Sequence, residues 1–427
     1  MKSNLVAVYG GHDGNVTFYN GERGTYHIIE LERLVKKRYF RLHFENDYDT
    51  IRDILIQCKD IASKHWGIDH YDAILLGSDD RVWKIDGSGW INPQQLLVDV
   101  FNCNQIGTLI SHHHCHACNV FYQSPFEESL VISYDGGGDD GFFKVYHATR
   151  DEVKLIDTIR SDFGGGYCLS ASLIREVAEK SKHQLALAGK MMGLCGYGKV
   201  VEEHVAPFGM FFFDKDYKKL AQLTGLPLKN LNDPWEDPMK NWVFEGQEGF
   251  DVAATAQEAF ERAFFGVLEK YDKNLPLCLT GGAALNVLVN QRVINECDRE
   301  VFVSPNPNDC GLSLGHLFQY LKPKEQVKVV YSGLPLLDGD KLDDYIEQHN
   351  ARKIDKKELA QLIKDGNIIG LVYGDSEVGP RALGNRSIVC DPNIKEMKDI
   401  LNAKVKFREW YRPFAPFCKK EDASTYF

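Results

Sequence analysis

The residues most able to do chemistry stand in one short run, Ser111-His112-His113-His114-Cys115-His116-Ala117, behind the apolar pair Leu109-Ile110. Ser111 suits the N-cap of a helix beginning at His112. On that helix His112 and His116, four residues apart, share a face and can hold one cation between their imidazoles. Imidazole suits zinc, iron or nickel, and a carboxylate from elsewhere usually completes the set. Asp309 is the candidate, in the loop Pro305-Asn306-Pro307-Asn308-Asp309-Cys310-Gly311-Leu312 ahead of an apolar helix, where the alternative for a lone acid is an N-cap. Cys115 and Cys118 have CxxC spacing, but with no second pair they argue only weakly for a structural zinc site.

Three glycine-rich stretches follow apolar runs: Gly10-Gly11-His12-Asp13-Gly14-Asn15, Asp135-Gly136-Gly137-Gly138-Asp139-Asp140-Gly141 and Gly281-Gly282-Ala283-Ala284-Leu285-Asn286. Consecutive backbone N–H groups in such loops can wrap phosphate oxygens, with glycine permitting the close approach; plain hairpin turns are the alternative for the first two. A further concentration lies near the end. Between Arg381 and Lys420 ten Lys/Arg face four Asp/Glu, a local net of +6 in a chain of net charge -11. Arg381, Arg386, Arg408 and Arg412 can ring a small polyanion with planar guanidinium forks, against the alternative of solvated, ion-paired helix faces.

The elements that position these residues read as alternating α/β. Leu5–Tyr9 and Val16–Tyr19 form a hairpin around the first glycine loop, and Leu130–Tyr134 with Phe142–Tyr146 repeat it around the second, which suggests an internal duplication. Apolar residues at Ile51, Ile54, Leu55, Ile61 and Ala62 predict a helix over 48–66 before the strand Ala73–Leu76. Another helix is predicted from about Val252 to Tyr271, and Leu277–Thr280 is a strand leading into the third glycine turn. The charged, irregular segment from about Leu336 to Lys356 reads as a domain boundary, followed by a helix over 357–365 closed by Gly366 and a strand over 368–373.

Composition sets the frame. A length of 427 residues suits two or three domains, and 44% hydrophobic with 26% charged residues is ordinary for folded proteins. No run approaches the roughly 20 apolar residues of a membrane span, and the start lacks a signal-peptide pattern, so a cytoplasmic protein without a membrane partner is expected. Eleven scattered cysteines predict reduced thiols. The acidic net charge gives nucleic acid no support as a partner without excluding it, and self-association into a homo-oligomer stays open.

Taken together these strings resemble the O-carbamoyltransferases of the nodulation-protein and tobramycin-carbamoylating type, over essentially the whole chain. The resemblance rests on Gly11-His12-Asp13, Glu32-Arg33, the His112/His116 pair followed by Ala117, Asp135-Gly136, Gly189-Lys190-Met191-Met192-Gly193-Leu194, Gly281-Gly282 with Leu285-Asn286, and Asp309. Its most specific string is Gly379-Pro380-Arg381-Ala382-Leu383-Gly384-Asn385-Arg386-Ser387. The resemblance implies an α/β chain: a duplicated actin-like, sugar-kinase-like (ASKHA) carbamoyl-transfer domain over 1–345, then the beginning of a YrdC-like α/β domain over 346–427. In such enzymes the YrdC-like domain turns carbamoyl phosphate and ATP, the latter with Mg2+, into carbamoyl-adenylate. The adenylate passes to a metal site in the first domain, where an acceptor hydroxyl attacks.

Carried over residue by residue, the resemblance implies that His112, His116 and Asp309 hold Fe2+ or another divalent metal, and that His12 with Asp13 is catalytic. Gly11, Lys37, Asp135, Gly136, Gly137, Lys190, Gly281, Gly282 and Asn286 would surround the adenylate. Arg381, Arg386, Ser387, Lys404, Arg408 and Arg412 would bind carbamoyl phosphate and ATP in the second domain. Two departures stand out. Family members continue beyond the equivalent of Phe427, so either the chain is a fragment, or a partner supplies the missing part of the second domain, or the activation half is degenerate; and His114-Cys115 replaces apolar residues between the histidines. The rival readings are a tRNA threonylcarbamoyl-transfer subunit, which lacks the Arg381 to Ser387 string, and a non-catalytic nucleotide-binding protein. For the acceptor, the resemblance leaves open small molecules, sugars and hydroxymethylated nucleotides or DNA bases. Contacts to it are expected from 79–95 and 223–249, with Trp83, Trp90, Trp235 and Trp242.

Overall fold

The computed structural model describes residues 3–228, 240 and 242–426, so Trp235 lies outside the described residues. Two mixed sheets repeat one plan. In the first, β1 (Leu5–Tyr9), β2 (Asn15–Asn20) and β3 (Thr25–Glu30) form an antiparallel meander, and after helix α1 (Tyr48–Trp66) strand β4 (Ala73–Leu76) returns parallel to β1. In the second, helix α2 (His112–Gln123) precedes the meander of β5 (Glu128–Tyr134), β6 (Phe143–Thr149) and β7 (Val153–Thr158). Helices α3 (Phe163–Ser172), α4 (Leu185–Leu194) and α5 (Gly246–Leu268) follow, before β8 (Leu277–Thr280) adds parallel to β5. Helix α6 (Val287–Glu296) then leads to β9 (Val301–Val303), parallel to β8. The strand orders are β3-β2-β1-β4 and β9-β8-β5-β6-β7. The two sheets thus share one strand plan, the duplication implied by the sequence resemblance.

Local sequence accounts for the elements that matter. In α1, Asp47 accepts from the Thr50 N–H at 2.7 Å, Gly67 closes the helix at φ 67°, and Ile51, Leu55, Cys58, Ile61, Ala62 and Trp66 bury one stripe. Each large apolar side chain so buried contributes roughly 1.5–3 kcal/mol. That stripe packs on Val6, Val8, Phe18 and Leu76 of the first sheet. The second core gathers Ile132, Tyr134, Phe143 and Leu279 under α3 and α5, with Phe163, Phe260 and Phe264 at its centre. Helix α5 begins at Gly246 rather than near Val252, because its polar first turn offers no apolar rhythm to read.

Between the sheets lie α2 and α7 (Leu312–Leu321), joined by Cys118, Phe121, Leu314 and Phe318 in a further buried cluster. Gly315 of α7 makes the crossing close: a Cβ there would stand 2.1 Å from the Cys115 carbonyl oxygen. After α7 the chain runs to α8 (Lys356–Lys364) and the hairpin of β10 (Ile369–Val372) with β11 (Arg386–Val389), within a residue or so of the predicted helix and strand. Among the described residues no helix is long and apolar enough to cross a membrane.

Candidate functional site

The loops after β1, β4, β5 and β9 and the start of α2 converge on a pocket of about 220 Å³ lined by Tyr9, His12, Asp79, His112, Asp135, Gly137, Gly138 and Asp309. Helix α2 presents His112 and His116 inward, with their Nε2 atoms 3.1 Å apart. His116 Nε2 lies 3.1 Å from Asp135 Oδ2 and 3.3 Å from Asp309 Oδ1, and His112 Nε2 lies 4.0 and 3.6 Å from the same atoms. Donors bonded to one cation at about 2.1 Å stand roughly 3–4 Å apart, so these four atoms fit a single divalent ion. All four residues are buried. The histidines and Asp309 are the three ligands implied by the family resemblance; Asp135, expected beside the nucleotide, stands with them.

The charge state says the same. Burial alone would lower the imidazoles, yet Asp309, Asp135 and Asp79 hold His112 well above its usual range, and Asp135 and Asp309 raise His116. Burial would raise the Asp309 carboxyl, but the His12 and His112 charges hold it at about 2. These shifts favour positive charge on the imidazoles and negative charge on the carboxylates, a field suited to a cation.

Outer contacts orient His112 and Asp309, while the buried His116 Nδ1 has no hydrogen-bond partner. Asp79 Oδ2 lies 2.5 Å from His112 Nδ1, and with the carboxylate ionised that nitrogen donates, leaving the Nε2 lone pair for a metal. The Tyr9 hydroxyl donates to Asp309 Oδ2 at 2.7 Å, which turns Oδ1 toward the histidines. Ser111 stands at the N-cap position with extended backbone, but its side chain caps nothing. Asp139 and Asp140 accept from the His112 and His113 N–H groups instead, at 3.1 and 3.3 Å, tying the second glycine loop across the helix end. Neither Tyr9 nor Asp79 carries a sequence signal beyond following an apolar strand.

His12 faces this centre, with Nε2 3.3 Å from Asp309 Oδ2 and Nδ1 3.2 Å from Asp13 Oδ2. Burial would lower its pKa, but Asp309 and then Asp13 raise it to about 9. The Gly282 N–H donates to Asp135 Oδ2 at 2.7 Å, placing the turns at Gly136-Gly137 and Gly281-Gly282 side by side. Gly11 sits against the Tyr9 ring. Other residues implied by the resemblance have partners elsewhere. Lys37 pairs with Glu45 at 2.6 Å, Lys190 with Glu409 at 2.6 Å, and Asn286 caps α6 while bonding Gln257.

The basic string near the C-terminus folds around an acid. Glu377 is fully buried and its Oε1 accepts from the Leu383, Asn385 and Arg386 N–H groups at 2.7–3.0 Å. Burial would raise this carboxyl, and the backbone bonds lower it. Gly379, at φ 97°, meets the first sheet: its N–H donates to Glu30, its carbonyl accepts from Arg33, and a Cβ would lie 2.0 Å from the Pro305 carbonyl. Arg386 turns its guanidinium onto the carbonyls of Leu334, Tyr373, Gly374 and Asn385, where it ties backbone together. Ser387 accepts from the Gly384 N–H, Lys404 is exposed, and Arg408 lies 4.0 Å over the Phe414 ring. Arg381 is exposed. Of the expected acceptor tryptophans, Trp83 is core, donating to Asp80, Trp242 packs under Arg175, and Trp90 is exposed.

Fold and site together define a duplicated α/β protein with a histidine–carboxylate pocket suited to a cation. The chain belongs to the carbamoyltransferase family: residues 90–317 match the family's N-terminus and residues 360–427 its C-terminus. It is similar to nodulation protein NolNO of Sinorhizobium fredii, 34% identical over 75% of this chain and 48% of that protein. Similarity to NolO of Bradyrhizobium diazoefficiens is 33% over 74% and 60% respectively, and to nodulation protein U of Azorhizobium caulinodans 26% over 97% and 80%. The chain thus spans about half of NolNO and three fifths of NolO. Among solved structures, full-length HypF in its phosphate- and nucleotide-bound form covers 74% of this chain and 46% of its own at 14% identity and a TM-score of 0.41.

Proposed function

We propose that this chain performs the transfer step of ATP-dependent O-carbamoylation, drawing its carbamoyl group from carbamoyl phosphate by way of carbamoyl-adenylate. The observation that carries the reading is the convergence of His12, His112, His116, Asp135 and Asp309 on one pocket in a member of the carbamoyltransferase family. A bound divalent metal such as Fe2+ would supply a Lewis acid to polarise the carbamoyl carbonyl. His112, His116, Asp135 and Asp309 would hold it.

The remaining work falls to the chain itself. An alcohol is a weak nucleophile at neutral pH; His12, its Nδ1 partnered by Asp13, would take the hydroxyl proton once a bound cation offsets the Asp309 charge that otherwise keeps the imidazole protonated. The acceptor oxygen bonds to the carbamoyl carbon, the bond from that carbon to the adenylate oxygen breaks, and AMP leaves with its electron pair. The glycine turns at Gly136-Gly137 and Gly281-Gly282 suit the adenylate phosphate, with backbone N–H groups facing anionic oxygen. Arg381, Arg408 and Arg412 are assigned to carbamoyl phosphate and Mg2+-bound ATP, and Arg386 to shaping that segment.

The test is to supply the full chain, metal-loaded, with synthetic carbamoyl-adenylate or with carbamoyl phosphate and ATP, alongside hydroxylated acceptors, and to follow AMP and acceptor mass. Acceptor-dependent AMP release with a mass gain of one carbamoyl group is expected, and its loss in His12→Ala with metal content kept. A protein that retains metal yet releases no AMP from carbamoyl-adenylate with any acceptor would contradict the proposal.

A further inference from the structure

Asn15 opens β2 where the His12 loop ends, and it is fully buried. Its side-chain amide has two N–H donors and an oxygen with two lone pairs, and all four are engaged. The oxygen accepts from the Ser313 N–H at 3.0 Å and from the Ser313 hydroxyl at 2.5 Å. A backbone N–H can only donate, so the orientation of the amide is fixed. Its nitrogen then faces the backbone carbonyls of Asp13 and Asp309 and donates to both at 2.8 Å.

Those two carbonyls belong to the two loops that meet in the pocket. Asp13 partners the His12 imidazole and takes φ 57°, a left-handed backbone uncommon outside glycine, which the Asn15 bond helps to hold. Asp309 begins a turn that the first sheet grips at three points. Tyr9, opposite Asn15 in the β1–β2 register, donates to the Asp309 carboxylate, Asn15 takes the Asp309 carbonyl, and Thr17, two residues along the same face of β2, stands 2.6 Å from the Ser313 hydroxyl. Helix α7 follows with Gly311 as its N-cap, which has no side chain to offer. Asn15 therefore supplies from a distant strand the oxygen that caps the Ser313 N–H.

We propose that Asn15 is a positioning residue of the transfer site, one amide that fixes the His12-Asp13 loop against the Asp309 turn. The inference rests on the carbamoyl-transfer reading, in which His12 takes a proton beside a centre that Asp309 helps to form. His12 Nε2 lies 3.3 Å from Asp309 Oδ2, a separation set by how the two loops are placed relative to each other. A displacement of about 1 Å between reacting groups costs on the order of 100-fold in rate.

The experiment compares the full wild-type chain with Asn15→Ala, which removes both loop ties, and with Thr17→Val, which removes a hydrogen bond to the same Ser313 while leaving the Asp13 and Asp309 carbonyls paired. Each is followed by urea unfolding, by the ligand-field spectrum of the Co2+-loaded protein, and by kcat and KM for AMP release from carbamoyl-adenylate with a hydroxylated acceptor. Both variants should unfold at lower urea. Asn15→Ala alone should shift the cobalt band and lower kcat about 10–100-fold, with KM for carbamoyl-adenylate held within about twofold. Asn15→Asp keeps the oxygen facing Ser313 and loses the N–H donors; it should give the same result and takes the place of Asn15→Ala if that variant does not fold. A cobalt band and kcat unchanged in a folded Asn15 variant, or moved as much by Thr17→Val, overturn the proposal. If wild type transfers to no acceptor, the transfer reading fails, and the cobalt band still decides whether Asn15 sets the Asp309 turn: a shift confined to the Asn15 variants supports that, and its absence overturns it.

Discussion

Two imidazole Nε2 atoms 3.1 Å apart, both facing carboxylates, are a costly arrangement unless something positive lies between them. The pocket meets that need with protons or with a metal, and the outer contacts decide which histidine nitrogen is offered. Asp79 is therefore a positioning residue for His112. Asp79→Asn should lower metal affinity about 10–100-fold by competition titration against a chelator, with the fold unchanged by circular dichroism. A Co2+-substituted protein should show a shifted ligand-field band in the same variant, which a purely structural role would not move. The ligands reached by spacing and by resemblance, His112, His116 and Asp309, were legible because two share a helix face and the third ends a proline-rich loop. Asp79 and Tyr9 were not, since their partners lie 33 and 300 residues away in the chain.

At the scale of elements, the site depends on how closely α2 and α7 cross, because α2 brings the histidines and α7 follows Asp309 directly. Gly315→Ala would drive a methyl group into the Cys115 carbonyl, and should cost about 1–3 kcal/mol in urea unfolding and weaken metal retention together. Gly266→Ala, at an exposed position of α5 with nothing near the added carbon, should instead stabilise by about 0.5–1 kcal/mol. The hairpins, α1 and β4 could be read from sequence because alternation, a capped 3.6-residue stripe and glycine turns all agreed there. The wrap of residues 383–386 around Glu377 could not, because a buried acid serving backbone N–H groups looks like any surface glutamate in a polar stretch.

For the whole molecule, burial leaves several histidines neutral. Desolvation, then the Arg23 and Arg41 charges respectively, hold His27 and His43 down at about 4, and desolvation holds His316 at about 3 despite Asp79. Folded pKa values below the ordinary 6.5 mean that these groups support stability fully above about 6.5, and that this support is lost as pH falls toward 3–4. The urea midpoint should drop across that window by the equivalent of on the order of 1–3 kcal/mol per histidine, and His43→Phe should flatten the slope. A chain of net charge -11 that nevertheless gathers cations in its C-terminal string has its charge arranged by site. Sequence counting exposed that concentration; the Tyr39–His183 stack, which joins 36–41 to 180–183, needed the fold. The central claim is that His112, His116, Asp135 and Asp309 form one metal centre on which carbamoyl transfer depends. It is tested most directly by anaerobic Fe2+ titration of the purified chain, with bound metal counted by mass spectrometry in wild type and in His116→Ala. The account predicts one tightly held metal ion per wild-type chain and none in the variant; tight stoichiometric binding that survives His116→Ala, or no binding by wild type, would contradict it.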